Sequence, residues 1–210
     1  MRVVDFFSGI GGFALGLEMA GGFETVAFSE IDPYCCRVLE KHWPEVPNLG
    51  SVDNGGRDTV PEILHGFEGP ENGQGSVAGP VLLLENVSGF RRSVLPAVLR
   101  DLAAIGFDAE WFTVCSCHFD APHHRERVFV IAYPNGQGEP FGSIHAEVAS
   151  LRTIPVGLPW PDPPQDLGVD DGVPDRSHRL RALGNSVVPQ VVCWIAQQIK
   201  GAVNDQENPG

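Results

Sequence analysis

The pattern of apolar runs and glycine-marked turns predicts strands and helices in alternation. Val3-Val4-Asp5-Phe6-Phe7 is a short apolar run ending in Ser8-Gly9-Ile10-Gly11-Gly12, with Phe13 and Leu17 following at helical spacing. Glu24 to Ser29 predicts a second strand ending in Glu30-Ile31-Asp32, and Pro33 sits where the first turn of a helix to about His42 begins. The resulting β-α-β-α order predicts an α/β fold, doubly wound around a mostly parallel sheet. A ligand is then expected at the carboxyl ends of the strands.

From Asn48 to Gly79 the chain is rich in Gly, Asn, Asp, Pro and Glu, with one weak apolar stretch at Val60 to Leu64, so no core strand is predicted there. The alternation then resumes. Val81 to Glu85 reads as a buried strand, Leu95 to Ile105 as a helix, and Ala109 to Val114 and Val128 to Ala132 as strands. Between Tyr133 and Asp175, Pro and Gly are dense and periodicity is weak, which predicts a long surface loop or small irregular module. Pro189 to Ile199 reads as a final amphipathic helix with Val192, Ile195, Ala196 and Ile199 on one side, followed by a polar tail over 204–210.

Composition narrows the classes. The chain has 210 residues, of which 42% are hydrophobic, enough for one domain with a sizeable core. No apolar run approaches the roughly 20 residues of a membrane span, and the N-terminus lacks a secretory layout, so a cytoplasmic protein without membrane partners is the expectation. The five cysteines, Cys35, Cys36, Cys115, Cys117 and Cys193, are read as free thiols. A formal net charge of −13 opposes tight duplex binding, which rests on cations meeting phosphates. A local arginine face is available from Arg91, Arg92, Arg125, Arg127, Arg176, Arg179 and Arg181.

Two features carry chemistry. Gly9, Gly11 and Gly12 let backbone N–H groups at a helix N-terminus come close to a ligand. Glu30, at the tip of the second strand and about 20 positions on, suits the hydroxyls of a ribose. Together they specify a nucleoside but not which one; a tight turn that merely packs a helix on a sheet is the plain alternative.

The residues also resemble a family. Asp5 to Phe13 is similar to the first cofactor motif of the DNA cytosine-5 methyltransferases of bacterial and phage type, and Glu30 to Cys35 to their second. Leu84-Glu85-Asn86-Val87 resembles their Glu-Asn-Val motif, and Pro122 to Arg127 their Gln-x-Arg-x-Arg motif with His123 in place of Gln. Leu183 to Pro189 resembles their final motif. The resemblance implies S-adenosyl-L-methionine held by Phe7, Ser8, Gly9, Gly11, Gly12, Glu30, Ile31, Asn185 and Ser186. It also implies catalytic roles for Glu85, Arg125 and Arg127 on a cytosine flipped out of double-stranded DNA. In that chemistry a cysteine thiolate adds to C6 while a carboxyl group assists at N3, which makes C5 nucleophilic toward the methyl donor. Residues 1–133 plus 176–203 are expected to form the methyltransferase domain, with 134–175 a short segment in place of a target-recognition domain.

The sequence departs from the family at decisive places. The family's nucleophile lies in a Pro-Cys motif between the second motif and Glu-Asn-Val, and no Pro-Cys dipeptide occurs here. Cys35 and Cys36, in the helix after Asp32, read as packing residues. Ser51 falls where many relatives have an aspartate that meets the adenine, and Asp53 is two positions on. Cys115 and Cys117, with His118, His123 and His124, offer a displaced nucleophile or metal donors, with buried strand thiols as the plainer reading; no metal is assigned. Three readings follow: a methyltransferase with an unrecognised nucleophile, a non-catalytic module that binds S-adenosylmethionine or DNA or pairs with an intact methyltransferase, and a remnant left by deletion.

Overall fold

The computed structural model describes residues 1–51, 80–136, 139–151 and 176–207. Strands β1 (Arg2–Phe6), β2 (Glu24–Ser29), β3 (Leu82–Val87), β4 (Phe107–Cys115) and β5 (Glu126–Pro134) alternate with helices α1 (Gly12–Ala20), α2 (Pro33–His42), α3 (Phe90–Ser93), α4 (Leu95–Ala104), α5 (Gly142–Ser150), α6 (Arg176–Asn185) and α7 (Pro189–Glu207). They divide into two compact units, Met1–Ile63 with Gly157–Cys193 and Leu64–Val156 with Trp194–Gly210.

In the first unit β1 and β2 pair in parallel, Arg2 opposite Glu24 and Phe6 opposite Ser29. The edge of β2 is extended by residues 47–49: the Phe28 amide donates to Pro47 O at 2.9 Å and the Leu49 amide to Phe28 O at 2.8 Å. Helix α2 starts where Pro33 and its cap dictate. The carboxylate of Asp32 accepts from the amides of Tyr34 at 2.9 Å and Cys35 at 3.1 Å, satisfying donors the first turn leaves open. Ala14, Phe28 and Leu39 form the buried cluster, with Trp43 edge-on to Phe28 at 5.6 Å. Helix α1 packs through its glycines: a Cβ on Gly16 would lie 2.5 Å from Val192 Cβ and 2.6 Å from Pro189 O.

The second unit is a three-stranded sheet in the order β3-β5-β4. Leu95 and Leu102 of α4 pack on Val130 and Ala132, with Leu82, Leu84, Ala109 and Trp111 around them. A further group contains Phe112 stacked on Phe129, Tyr133 against Phe141, and Phe119 against Trp194. Glu110 ties α5 to this sheet by accepting hydrogen bonds from Tyr133 Oη at 3.0 Å and the Phe141 amide at 3.2 Å.

The α/β class holds, and the parallel pairing is that of β1 with β2; β5, by contrast, runs antiparallel to both neighbours. The reason is connection length. Residues 116–125 join β4 to β5 by a single 3-10 turn, Ser116–Phe119, whereas a parallel crossover needs a dozen or more residues. Residues 88–106 do hold a crossover helix, so β3 and β4 run in the same direction on either side of β5.

Other expectations are corrected. Residues 142–150 within the expected irregular segment are helical, with Phe141 and Ile144 buried at i, i+3 spacing. The final helix runs past Ile199, through Gly201, and on to Glu207 through part of the expected tail. Cys115 and Cys117 are not free thiols but joined in a disulfide, because the 3-10 turn carries Cys117 back over the end of β4. Cys35, Cys36 and Cys193 are not disulfide-bonded. Val60 to Leu64, Asp53, most of the Asn48 to Gly79 stretch, and residues 152–175 lie outside the described residues. No helix among the described residues is long and apolar enough to cross a membrane.

Candidate functional site

Phe7, Ser8, Gly9, Gly11, Gly12, Glu30 and Ile31, expected to hold the donor, gather at the carboxyl ends of β1 and β2. After β1 the backbone enters the left-handed region at Phe7 (φ 55°), Gly9 (φ 55°) and Gly11 (φ 83°), folding the turn under the start of α1. A Cβ on Gly11 would strike the Trp43 ring, and one on Gly12 would lie 2.6 Å from Ser186 Oγ, so the turn needs these glycines for close approach. Ser8 is buried and locks the turn, its hydroxyl donating to Asp5 O at 2.5 Å and accepting from the Ser29 amide at 3.3 Å.

Glu30 is held from several sides. Oε2 accepts from the Gly9 amide at 2.7 Å, and Oε1 accepts from the amides of Ile31 and Asp32, each at 2.7 Å. Beside it Phe7 and Ile31 are 78% and 71% exposed, two large apolar side chains left uncovered at the strand ends. Apolar surfaces flanking a fixed carboxylate and a glycine turn suit a nucleoside: ring faces for the former, ribose hydroxyls for the latter.

Ser186 stands beside Gly12, its hydroxyl donating to Val187 O at 3.1 Å. Asn185 is exposed at the end of α6. Sequence reasoning missed one support of Glu30 and one of Asp32. Asn48 brackets the Glu30 backbone, accepting from the Glu30 amide at 3.0 Å and donating to its carbonyl at 3.1 Å. Arg181 reaches the capping carboxylate of Asp32 at 3.3 Å, fastening α6 to the start of α2. The Asn48 signal was available as a polar residue just after the apolar Val46-Pro47, but only the fold shows its target.

Asp5, also unassigned from sequence, is nearly fully buried under the turn. Burial, reinforced by the charge of Glu30, pushes its pKa up to about 7.

In the second unit Glu85 of β3 and Arg127 of β5 meet across neighbouring strands, Arg127 Nε 2.8 Å from Glu85 Oε1. Burial raises the Glu85 pKa, while Arg127 and Arg125 oppose the shift. Arg125 lies two residues before Arg127 and is lowered from the usual guanidinium range by burial and by Arg127. The three residues expected to serve the base are therefore one cluster. Arg91 and Arg92 are exposed in α3 of the same unit, whereas Arg181 belongs to the first; the side chains of Arg176 and Arg179 lie outside the described residues.

The cysteines tell a different story. Burial and nearby carboxylates raise Cys35 to about 11, and Cys36 is also raised, with burial the largest cause. Both shifts oppose the thiolate that an addition to C6 requires.

A model of C-5 cytosine-specific DNA methylase matches residues 1–67 and 78–155. The chain belongs to that family. The family's methyl donor is S-adenosyl-L-methionine. Among curated relatives, the chain is similar to the Type II methyltransferase M.DsaV of Dactylococcopsis salina, 28% identical over 63% of this chain and 46% of that protein. It is also similar to M2.BsuMI of Bacillus subtilis strain 168, 31% identical over 63% and 42%, and to M.MspI of Moraxella sp, 28% identical over 64% and 39%. The chain thus spans less than half the length of these relatives. A solved DNMT2 mutant from Spodoptera frugiperda shares the fold with a TM-score of 0.52 at 20% identity, over 67% of this chain and 52% of that one.

Proposed function

We propose that this cytosine-5 methylase family member takes S-adenosyl-L-methionine at the Phe7 to Gly12 turn, Glu30, Ile31, Asn185 and Ser186, and engages a flipped cytosine of duplex DNA through Glu85, Arg125 and Arg127. The observation that carries this is the 2.8 Å Arg127–Glu85 ion pair, with the carboxyl held above its usual pKa. A carboxyl group so shifted retains a proton more readily, and a proton at cytosine N3 is what activates C6 toward a thiolate. The guanidinium fixes its orientation and supplies in-plane donors for the base. The reaction supported is transfer of the donor methyl group to C5, as in a Type II modification enzyme.

A second reading is favoured by the cysteines. Without a Pro-Cys motif, with Cys35 and Cys36 held as thiols and Cys115 tied to Cys117, the chain fits a non-catalytic module that binds the donor or DNA, or serves an intact methyltransferase. The test is transfer of labelled methyl groups to cytosine-containing duplex DNA, run beside calorimetric binding of the same donor. Transfer supports the enzyme, and its loss in Cys117→Ser would name the nucleophile. Binding without transfer supports the module; absence of both overturns the donor site.

A further inference from the structure

The connection between β4 and β5 gathers donor atoms that neither the methyl donor nor the base requires. Cys115 Sγ, Cys117 Sγ and an imidazole nitrogen of His124 all lie within 4.8 Å of one another, with Cys115 buried, Cys117 half-buried and His124 exposed. The segment that carries them is pinned: the Ser116 amide donates to Arg125 O at 2.9 Å, and Ser116 Oγ donates to His123 O at 3.1 Å. The three donors therefore converge because the backbone folds back on itself.

We infer that in the reduced chain Cys115, Cys117 and His124 form a site for a soft divalent cation of the zinc type. Two thiolates with one imidazole are a donor set selective for such ions over hard cations. In a tetrahedral shell two ligands at about 2.3 Å stand roughly 3.8 Å apart, so the two sulfurs, bonded to each other in the disulfide, part on reduction to a distance that fits within the 4.8 Å span of the group. With three protein donors, the fourth position of a tetrahedral shell is left for a water molecule or another small ligand. The chemistry balances in two steps. A dithiol or phosphine reductant supplies two electrons, and with two protons the Cys115–Cys117 disulfide becomes two thiols. The cation then displaces both thiol protons, while His124 contributes the lone pair of its neutral ring.

The location gives the site a consequence. Cys115 closes β4, and His124 immediately precedes Arg125, so a bound ion staples both ends of the connection that presents Arg125 and Arg127. The disulfide holds only Cys115 to Cys117 and leaves His124 untied. Reduction in the presence of metal thus exchanges a short local link for one spanning the whole turn. This inference does not depend on methyl transfer.

The test uses the full chain, stripped of metal, reduced with a phosphine that is then removed, and titrated with cadmium while the ultraviolet cadmium–thiolate band is followed. One equivalent should bind, and zinc should displace it. His124→Ala should weaken cadmium affinity by more than the roughly tenfold that loss of even an outer-shell partner costs, while keeping the band. Cys117→Ser should diminish the band and affinity together. Cys36→Ser should change neither, and the unreduced chain should show no band. Cys117 and His124 are chosen because neither is in the core, and far-ultraviolet circular dichroism of each variant checks the fold. An unaltered titration in His124→Ala or Cys117→Ser, a band in the unreduced chain, or no band in the reduced one would each overturn the site.

Discussion

Arg127 and Glu85 are sequestered to nearly the same degree, 18% and 16% exposed, and sit on neighbouring antiparallel strands with Nε and Oε1 2.8 Å apart. Removing this cation leaves a half-buried carboxylate with the weaker influence of Arg125 to offset its burial. Arg127→Ala should therefore move Glu85 further up in pKa, since the guanidinium is the largest influence holding it down. Titration of the Glu85 carboxyl by carbon-13 NMR reads this. The same variant should lose about 1.5–3 kcal/mol of stability near neutral pH, the range for hydrogen bonds to charged groups. It should weaken DNA binding and leave S-adenosylmethionine affinity unchanged; an equal loss of both would sink the division of labour.

Asp5 makes stability depend on pH. Its folded pKa of about 7 lies above the ordinary 3.8, so the protonated carboxyl is the form the fold prefers. The stabilisation is fully present below the unfolded pKa, declines as pH rises, and is gone above about 7. At 1.36 kcal/mol per pKa unit the span is on the order of 4 kcal/mol. Asp5→Asn, which cannot ionise, should flatten that decline. Urea denaturation of both proteins at pH 5 and pH 8 would reveal it, and parallel losses would refute it.

Gly16→Ala sets two effects against each other. Alanine is the better helix former by about 1 kcal/mol. Against that, its Cβ would meet the Val192 side chain and the Pro189 carbonyl at distances real contacts do not show, and a backbone carbonyl cannot rotate away. Overpacking of this kind costs about 1–3 kcal/mol. A lower thermal midpoint is expected, and a raised one would mean that α1 and the start of α7 separate freely.

Glu30→Ala should weaken S-adenosylmethionine binding by roughly 1.5–3 kcal/mol, about tenfold to a hundredfold, the worth of hydrogen bonds to a charged acceptor. Calorimetry decides, and unchanged affinity would remove Glu30 from the pocket. Asn48→Ala should produce a smaller loss in the same direction, because Asn48 acts on the Glu30 backbone rather than on a ligand.

Much of this fold is legible in sequence because local signals and tertiary packing agree. Pro33 and the capping Asp32 place the start of α2 at the expected residue, and the apolar run Glu24–Ser29 is β2 end to end. The motif residues around Gly9, Glu30, Glu85 and Arg127 are likewise found at strand ends or on neighbouring strands. Strand direction was not legible, because it depends on how far the β4–β5 connection reaches rather than on the strands themselves. Helix α5 was obscured by surrounding Gly and Pro, although Phe141 and Ile144 carried its spacing. The partners of Glu30 and Asp32 were beyond reach: Asn48 and Arg181 are remote in sequence, and a hydrogen bond between distant positions leaves no periodic trace.

The amides of Gly9, Ile31 and Asp32 freeze the Glu30 side chain in one orientation before any ligand arrives. A glutamate free to sample its rotamers would lose about 0.5–1.5 kcal/mol in entropy on becoming fixed by a ligand. Here that ordering is part of folding, so recognition at this carboxylate should depend little on temperature-sensitive side-chain freedom. Shortening the arm in Glu30→Asp would keep the charge and forfeit the template.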